Sequence, residues 1–420
     1  MATGAFSTEL DLGALDLTDR ALYRHGFPHE VFGQLRQQAP LWWHPEVPGC
    51  EEIGGGGFWV LSRYHDVQAA SRAPERFAAV DGPGLPQDRG GNSPMLTSMD
   101  GERHLRQRKL ISAGFTPRMT RRLEDLARTW AAKIVDEALE RETCNFVHDV
   151  AYQLPMHMIA DIVGVPVEDR PHVFQLCNDV IMCSDPDYHV PRSDRDRVMG
   201  ELFVYGKDLA ARKRRQPEDD VWSLLTQVEG SEPGDAHGQL SELELDGFFV
   251  LLNVAGSETT RNAISQGLLA LLEDPAQLER LKTDPSVRKR ATEEIIRWTS
   301  PVSYFRRTVV EDTELGGVAM KAGERISMWY PSANRDEAVF ENPYHFDIDR
   351  QARDQVAFGG GGPHFCLGAH LARREITILF EELFSRVRDI EIVGERTYSV
   401  QGISNPIVVS LKELPVRLAA

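Results

Sequence analysis

The spacing of apolar and polar positions changes character several times along this chain. Residues 1 to about 100 keep no single period: FWVLS (58–62) reads as a strand, YHDVQAASRAP as a short helix, and AVDGPGLPQDRGGNSP as a Gly/Pro-rich loop. From about 102 to 300 the apolar positions recur mostly at helical spacing. PVSYFRRTVVEDTELGGVAMKAGERISMWY (301–330) alternates and turns like short β-strands. PSANRDEAVFENPYHFDIDR then loops toward FGGGGPHFCLG, a final long helix follows over about 367–386, and YSVQGISNPIVVSLKELPVRLAA returns to strands. The pattern predicts a mainly α protein with a minor β part.

One helix stands apart. LSELELDGFFVLLNVAGSETTRNAISQGLLALLEDP predicts a helix over about 241–273, opened by the capping box Ser241-x-x-Glu244 and closed by Asp274-Pro275. At 1.5 Å per residue it is on the order of 50 Å long, enough to cross a large domain. Its middle is nearly all apolar, so most of its faces should be buried. Inside that middle sits Ala255-Gly256-Ser257-Glu258-Thr259-Thr260. The bland account bonds Thr259 and Thr260 back to carbonyls one turn earlier and turns Glu258 to a wet edge. Gly256 costs roughly 1 kcal/mol against Ala there, which makes sense if something large lies against the backbone.

Composition narrows the classes. The 420 residues are 41% hydrophobic and 26% charged, a globular profile. Length alone suggests about three domains. No linker or repeat marks a boundary, so a single domain over 1–420 is expected, its β part in about 1–100 and 301–330 and its helical part in about 102–300 and 367–386. No apolar run reaches membrane-span length and the first residues lack a signal-peptide plan, so no membrane anchor is expected. The cysteines at 50, 144, 177, 183 and 366 are odd in number and never spaced CxxC, which points to a reducing cytoplasm. A net charge of -17 makes nucleic acid an unsuitable partner.

The glycine run presents one thiol, Cys366. A lone cysteine is usually a small buried hydrophobe. Here glycines let the backbone approach a flat or bulky object, and a helix N-terminus just beyond favours a thiolate. A nucleophile would want a base, and His364 is two residues away. A haem ligand would want amide donors around the sulfur.

At this point the chain resembles a bacterial cytochrome P450 over essentially its full length. Four motifs occur in family order: AGSETT (255–260), Glu294-Ile-Ile-Arg297, ENPYHFDIDR and FGGGGPHFCLG. Phe358 lies eight residues before the cysteine, where the family has seven, while Gly362 and His364 keep their places. The resemblance implies the P450 fold, with haem b (iron protoporphyrin IX) between the long central helix and the cysteine loop. Cys366 would be the axial thiolate. His104 and Arg108, one turn apart, with Arg307 (rather than Arg306) and His364, would bind the propionates. Ala255, Gly256, Phe358, Gly362 and Gly368 would border the haem. Glu258, swinging to solvent, and Thr259 would supply the protons that O2 activation consumes. Glu294 and Arg297 would form a buried structural pair with a third polar group, matched here by His345.

Partners follow from the same resemblance. Electrons would come from NAD(P)H through ferredoxin reductase and ferredoxin, and RHLRQRKLISAGFTPRMTRR (103–122), with seven Lys/Arg and no acid, offers a docking stripe. A monomer is expected. A pocket lined by loop 80–98, Leu251, Val254, Ala255, Val302, Ser303 and Ile403 suits a large hydrophobic molecule. SETTRNAISQG, IIRWTSPVSYFRRT and SANRDEAVF resemble the actinobacterial enzymes that oxidise the cholesterol side chain or methyl-branched lipids, with Ser257 where Asn is expected. The expected activity is hydroxylation of a steroid-like or terpenoid-like substrate. The rivals are a tailoring enzyme hydroxylating or cyclising a terpenoid or polyketide, a peroxide-using or sensor haem protein, and, most remotely, a haem-free cysteine enzyme.

Overall fold

The structure, a computed structural model, describes residues 10–46, 56–86, 93–183, 185, 187–227, 240–400 and 408–420. Three helices flank the first strands: α1 (His29–Gln38), α2 (Tyr64–Arg72) and α3 (Gly101–Ala113). The helical body follows as α4 (Pro117–Glu140), α5 (Gln153–Val163), α6 (Arg170–Met182), α7 (Arg195–Arg215), α8 (Val221–Thr226), α9 (Glu242–Glu273), α10 (Pro275–Thr283) and α11 (Arg288–Thr299). A short α12 (Tyr330–Ala333) and the last helix, α13 (Ala369–Arg386), complete the set.

The central helix starts where the capping box places it. Ser241 accepts from the Glu244 amide while the Glu244 side chain accepts from the Ser241 amide. Its polar residues survive in the core because they bond within the helix. Asn253 donates to the Phe249 carbonyl at 2.8 Å, Ser257 to Asn253 at 2.7 Å and Thr259 to Ala255 at 2.8 Å. Helices α5, α7 and α11 pack on α9, and α13 packs along α4. Gly267 is what lets α11 come close, since a Cβ there would sit 2.7 Å from the Ile295 side chain.

The main sheet joins the two ends of the chain in the order β1-β2-β8-β5-β3, made of β1 (Leu41–His44), β2 (Phe58–Leu61), β3 (Phe77–Ala78), β5 (Tyr304–Val309) and β8 (Arg325–Trp329). β2 and β8 run parallel and the other pairs antiparallel. Smaller sheets are built from β4 (Thr143–Asn145), β9 (Asp389–Ile392) and β12 (Pro415–Ala419), from β6 (Thr313–Leu315) with β7 (Val318–Met320), and from β10 (Thr397–Val400) with β11 (Val409–Glu413). The main sheet draws on 301–330 and on the strand at 58–62, whereas β4 lies inside the 102–300 stretch expected to be helical and β9–β12 lie near the C-terminus. Because successive residues of a strand face opposite ways, Arg306 and Arg307 of β5 are sent to different environments.

Buried Glu294 and Arg297 of α11 form the expected pair, with two bonds of 2.7 Å. The third polar group is Arg350, not His345: its Nε lies 3.2 Å from a Glu294 oxygen. His345 takes part through its main-chain carbonyl, which accepts from Arg350 at 3.0 Å. Glu294, wholly buried, needs strong donors, and the Asp347 amide adds one more at 3.0 Å. Among the described residues no helix is long and apolar enough to cross a membrane.

Candidate functional site

An internal cavity of about 480 Å³ lies between α9 and the cysteine loop. On one side stand Ile159, Phe248, Leu251, Leu252, Ala255, Gly256 and Thr259, with Val302 and Phe305 of the segment entering β5. On the other stand Phe358, Gly359, Gly361, Cys366 and Gly368. His104, Arg108, Arg307 and His364 form one edge, its positive charge carried by the two arginines.

The loop is closed by its own main chain. The Cys366 amide donates to the Phe358 carbonyl at 2.9 Å and the Phe365 amide to Gly362 at 3.2 Å. Gly359, Gly361 and Gly362 have φ of +96°, +96° and +76°, which favours glycine. The bulky neighbour of this run is helix α2. A Cβ on Gly360 would lie 2.8 Å from the Gln68 Cα, and one on Gly362 would lie 2.4 Å from the Ser71 carbonyl oxygen. Gly362 therefore faces α2 and is not in the cavity wall, contrary to its expected place beside the cofactor. Phe358 keeps its place on the wall despite the extra residue, held under the Arg373 guanidinium at 4.5 Å.

Cys366 is exposed at the wall of this cavity, and the protein packed around it still desolvates the thiol. Burial pushes its pKa up; the Gly368 and Ala369 amides, which bond the sulfur, and the Arg108 and Arg373 guanidiniums push it down without cancelling that effect. The helix-start amides predicted from sequence are present, but they do not outweigh desolvation in the metal-free thiol.

The cationic edge shows what the cavity is built to take. Burial holds His104 down at about 4, with help from the charges of His364 and Arg108. Its ring stacks on His364 at 4.2 Å. His364 is lowered chiefly by burial, against the pull of Asp100, which it meets at 2.8 Å. For Asp100, burial acts upward, but the bonds from His364 and the Ala79 amide prevail and lower it. Arg307 and Arg108 are both lowered by burial, and neither has a salt bridge among the described residues. Arg306, on the other face of β5, is 3.6 Å from Asp81 and donates to the Leu85 carbonyl. A buried guanidinium, Arg307, and a half-buried one, Arg108, with no salt bridge among the described residues, beside one sulfur ringed by amides, fit a flat dianionic macrocycle with a soft-ligand metal.

On α9 the two candidate relay residues part company. Thr259 lines the cavity with its hydroxyl bonded to Ala255, so the back-bonded account and the cavity-facing account both hold. Glu258 turns away: it is buried and paired with Arg261 at 2.6 Å, and Arg261 lies over Tyr152. It points to no wet edge in this conformation. Val254 and Ser303 stand back from the cavity, because Val254 packs into the helical core and Ser303 is buried with its carbonyl taken by the Tyr330 amide. Ile403 lies outside the described residues. Asp100, Arg261, Phe248 and Phe305 were not foreseen; only the apolar spacing of Phe248 and Leu251 carried a signal.

The family profile described as Cytochrome P450 matches residues 207–388. A steroid C26-monooxygenase of Rhodococcus jostii is 40% identical over 394 residues, covering 90% of this chain and 80% of that protein. The chain belongs to the cytochrome P450 family. A methyl-branched lipid omega-hydroxylase of Mycobacterium bovis is 37% identical over 420 residues, covering 97% of this P450 and 94% of the relative. A Mycobacterium marinum cytochrome P450 solved in complex with pseudoionone superposes with a TM-score of 0.86 at 36% identity, covering 96% and 98% of the two chains. The protein is thus a P450 monooxygenase whose cofactor is haem with a cysteine thiolate. When bound, that haem supplies O2 activation and O–O cleavage, favoured by electron donation from the thiolate.

Proposed function

We propose that this P450 hydroxylates a large, uncharged, hydrophobic substrate of the steroid or branched-lipid class, with electrons from NAD(P)H delivered through a ferredoxin reductase and a ferredoxin. The carrying observation is the wall facing the sulfur. Phe248, Leu251, Leu252, Ala255, Val302 and Phe305 offer no charge, and Thr259 and Thr260 of the same cavity add hydroxyls. Such a wall binds by area and excludes water, and leaves regiochemistry to shape. Two kinds of relative, named for steroid C26 oxidation and for methyl-branched lipid omega-hydroxylation, support the same class.

Cys366 ligates the iron in this reading, while His104, Arg108, Arg307 and His364 hold the propionates. Thr259 presents its oxygen to the cavity, and to donate a proton it must release the Ala255 carbonyl. Glu258 feeds it only after leaving Arg261. The ferredoxin stripe is narrower than its sequence suggests. Arg103 and Arg106 engage Glu244, and Arg118 and Arg122 engage Asp219. Lys109 and Arg121 are exposed and have no ion pair among the described residues, so they carry the docking charge.

A titration of the ferric protein with cholest-4-en-3-one, a methyl-branched fatty acid, a diterpene and pseudoionone tests the substrate class. A blue shift of the Soret band is expected with the first two. A shift confined to the diterpene or pseudoionone would replace this reading with a terpenoid tailoring enzyme, the occupant that the pseudoionone complex favours.

A further inference from the structure

Asn262, on α9, is a wholly buried amide whose bonds leave the helix. Other buried polar side chains in the middle of α9 donate within it: Asn253 to the Phe249 carbonyl, Ser257 to the Asn253 carbonyl, Arg261 to Glu258 and Ser265 to the Asn262 carbonyl. Asn262 is 0% exposed, and its Nδ2 donates to the Val409 carbonyl of β11 at 3.1 Å and, more weakly, to the Pro301 carbonyl at 3.5 Å. Its Oδ1 accepts from Gln266 at 2.6 Å, and the same Gln266 Nε2 donates to the Val409 carbonyl at 2.9 Å. A primary amide carries two donor hydrogens and an acceptor, so one side chain here joins three chain segments. A leucine would fill a similar volume and donate to neither carbonyl, at a cost that burial makes larger.

The place of this tie connects it to the reaction. Asn262 lies one turn beyond Thr259 and does not itself line the cavity, but part of what it holds does: Pro301, Val302 and Phe305 all stand on the cavity wall. Val409 packs in one apolar cluster with Tyr304 of β5, so β11 and the segment leading into β5 are fixed to α9 together. We propose that Asn262 is a positioning residue for regiochemistry. It sets how far the Pro301–Phe305 wall stands from the α9 wall, and through that distance which carbon of a bound substrate is oxidised. Apolar walls grip a substrate by shape alone, so small displacements of a wall change the outcome. A misplacement of about 1 Å can alter a rate about a hundredfold even when its cause lies away from the chemistry. Gln266 supports the arrangement by holding the Asn262 oxygen and sharing the Val409 carbonyl. The role goes beyond the substrate class proposed above and holds for whichever hydrophobic molecule this P450 converts.

Two buried amides of the same helix provide the test. Asn253, 1% exposed, donates only within α9, whereas Asn262 ties the walls. Asn253→Ala and Asn262→Ala holoenzymes should both show a lower urea midpoint, so stability does not separate them. The position of hydroxylation does. On cholest-4-en-3-one, a methyl-branched fatty acid or pseudoionone, whichever is converted, Asn262→Ala should change the ratio of hydroxylation sites by about ten- to a hundredfold. Asn253→Ala should keep the wild-type ratio. Where no probe is converted, treatment of the ferric holoenzymes with phenyldiazene decides, because the pattern of N-phenylporphyrins reports the open space above each pyrrole ring. That pattern should change in Asn262→Ala and stay as in the wild type in Asn253→Ala. The proposal is overturned if Asn262→Ala keeps the wild-type result, or if Asn253→Ala departs from it as far. Should Asn262→Ala fail to fold, Gln266→Leu takes its place, since it keeps the bulk and removes the second donor to Val409; a changed pattern supports the tie and an unchanged one overturns it. Failure of the steroid and lipid probes to be converted counts against the substrate class alone, because the phenyldiazene pattern still reads the walls.

Discussion

The glycine run of the cysteine loop can be taken apart one residue at a time, because its members are glycine for different reasons. Gly359 has φ +96° but its nearest neighbour to a Cβ is 3.8 Å away, so Gly359→Ala meets backbone strain alone, about 1–2 kcal/mol. Gly360 carries no positive φ but a Cβ would lie 2.8 Å from the Gln68 Cα and the Ser71 Oγ, so Gly360→Ala meets packing alone, about 1–3 kcal/mol. Gly362 has both problems, φ +76° and a Cβ 2.4 Å from the Ser71 carbonyl oxygen. Gly362→Ala should therefore cost about 2–5 kcal/mol, the sum of the two effects. Urea unfolding of the three holoproteins, followed in parallel by far-UV circular dichroism and by the Soret band, gives the ranking. Gly362→Ala must be the least stable, and its cost must approach the other two added together. If it proves no worse than Gly359→Ala, helix α2 does not shape the loop, and the glycines answer only to the cofactor.

Glu294→Gln leaves Arg297 and Arg350 without their shared carboxylate and should cost about 3–5 kcal/mol, read as a lower urea midpoint and a poorer holoprotein yield. Arg307→Ala should lower haem affinity by roughly ten- to a hundredfold, measured as haem transfer to apomyoglobin, since one charge-assisted bond is worth about 1.5–3 kcal/mol; Arg306→Ala, on the opposite face of β5, should leave transfer unchanged while lowering stability. His157 stacks on Trp130 at 3.8 Å and is held near 4 by burial, and further by Arg170. The unfolded chain then binds this proton more readily, so stability is lost as pH falls from about 6.5 toward 4. The wild-type urea midpoint should drop between pH 7 and 5 more than that of His157→Gln, and equal drops would refute the assignment.

Much of the site was legible because its signals are local. A capping box, a thiol after four glycines and two basic residues one turn apart are fixed within a few positions, and α9, the cysteine loop and the His104–Arg108 pair stand where those signals put them. The two readings of Thr259 were never exclusive, since a hydroxyl can bond a carbonyl a turn earlier and still border a cavity. What was not legible depends on which distant element arrives. Nothing near Phe358 announces that α2 presses on Gly360 and Gly362. The Glu258–Arg261 pair, by contrast, stands i,i+3 on one helix and was within reach of the sequence.

The case of Glu294 shows where reading by motif position fails. His345 and Arg350 lie within one short stretch, and either could be named the third member of the network. The carboxylate is wholly buried and accepts from Arg297 Nε and Nη2, from Arg350 Nε and from the Asp347 amide. An imidazole offers at most one donor in that direction, and charging it there would require a further anion. A guanidinium offers a fixed fork that also reaches back to the carbonyls of Asn342 and His345. One side chain thus ties the α11 carboxylate to two turns of the segment leading to Cys366. A lysine at 350 would keep the charge and lose the fork. Arg350→Lys should accordingly loosen that segment and weaken haem retention, while His345→Ala, whose part is played by its carbonyl, should leave both nearly intact.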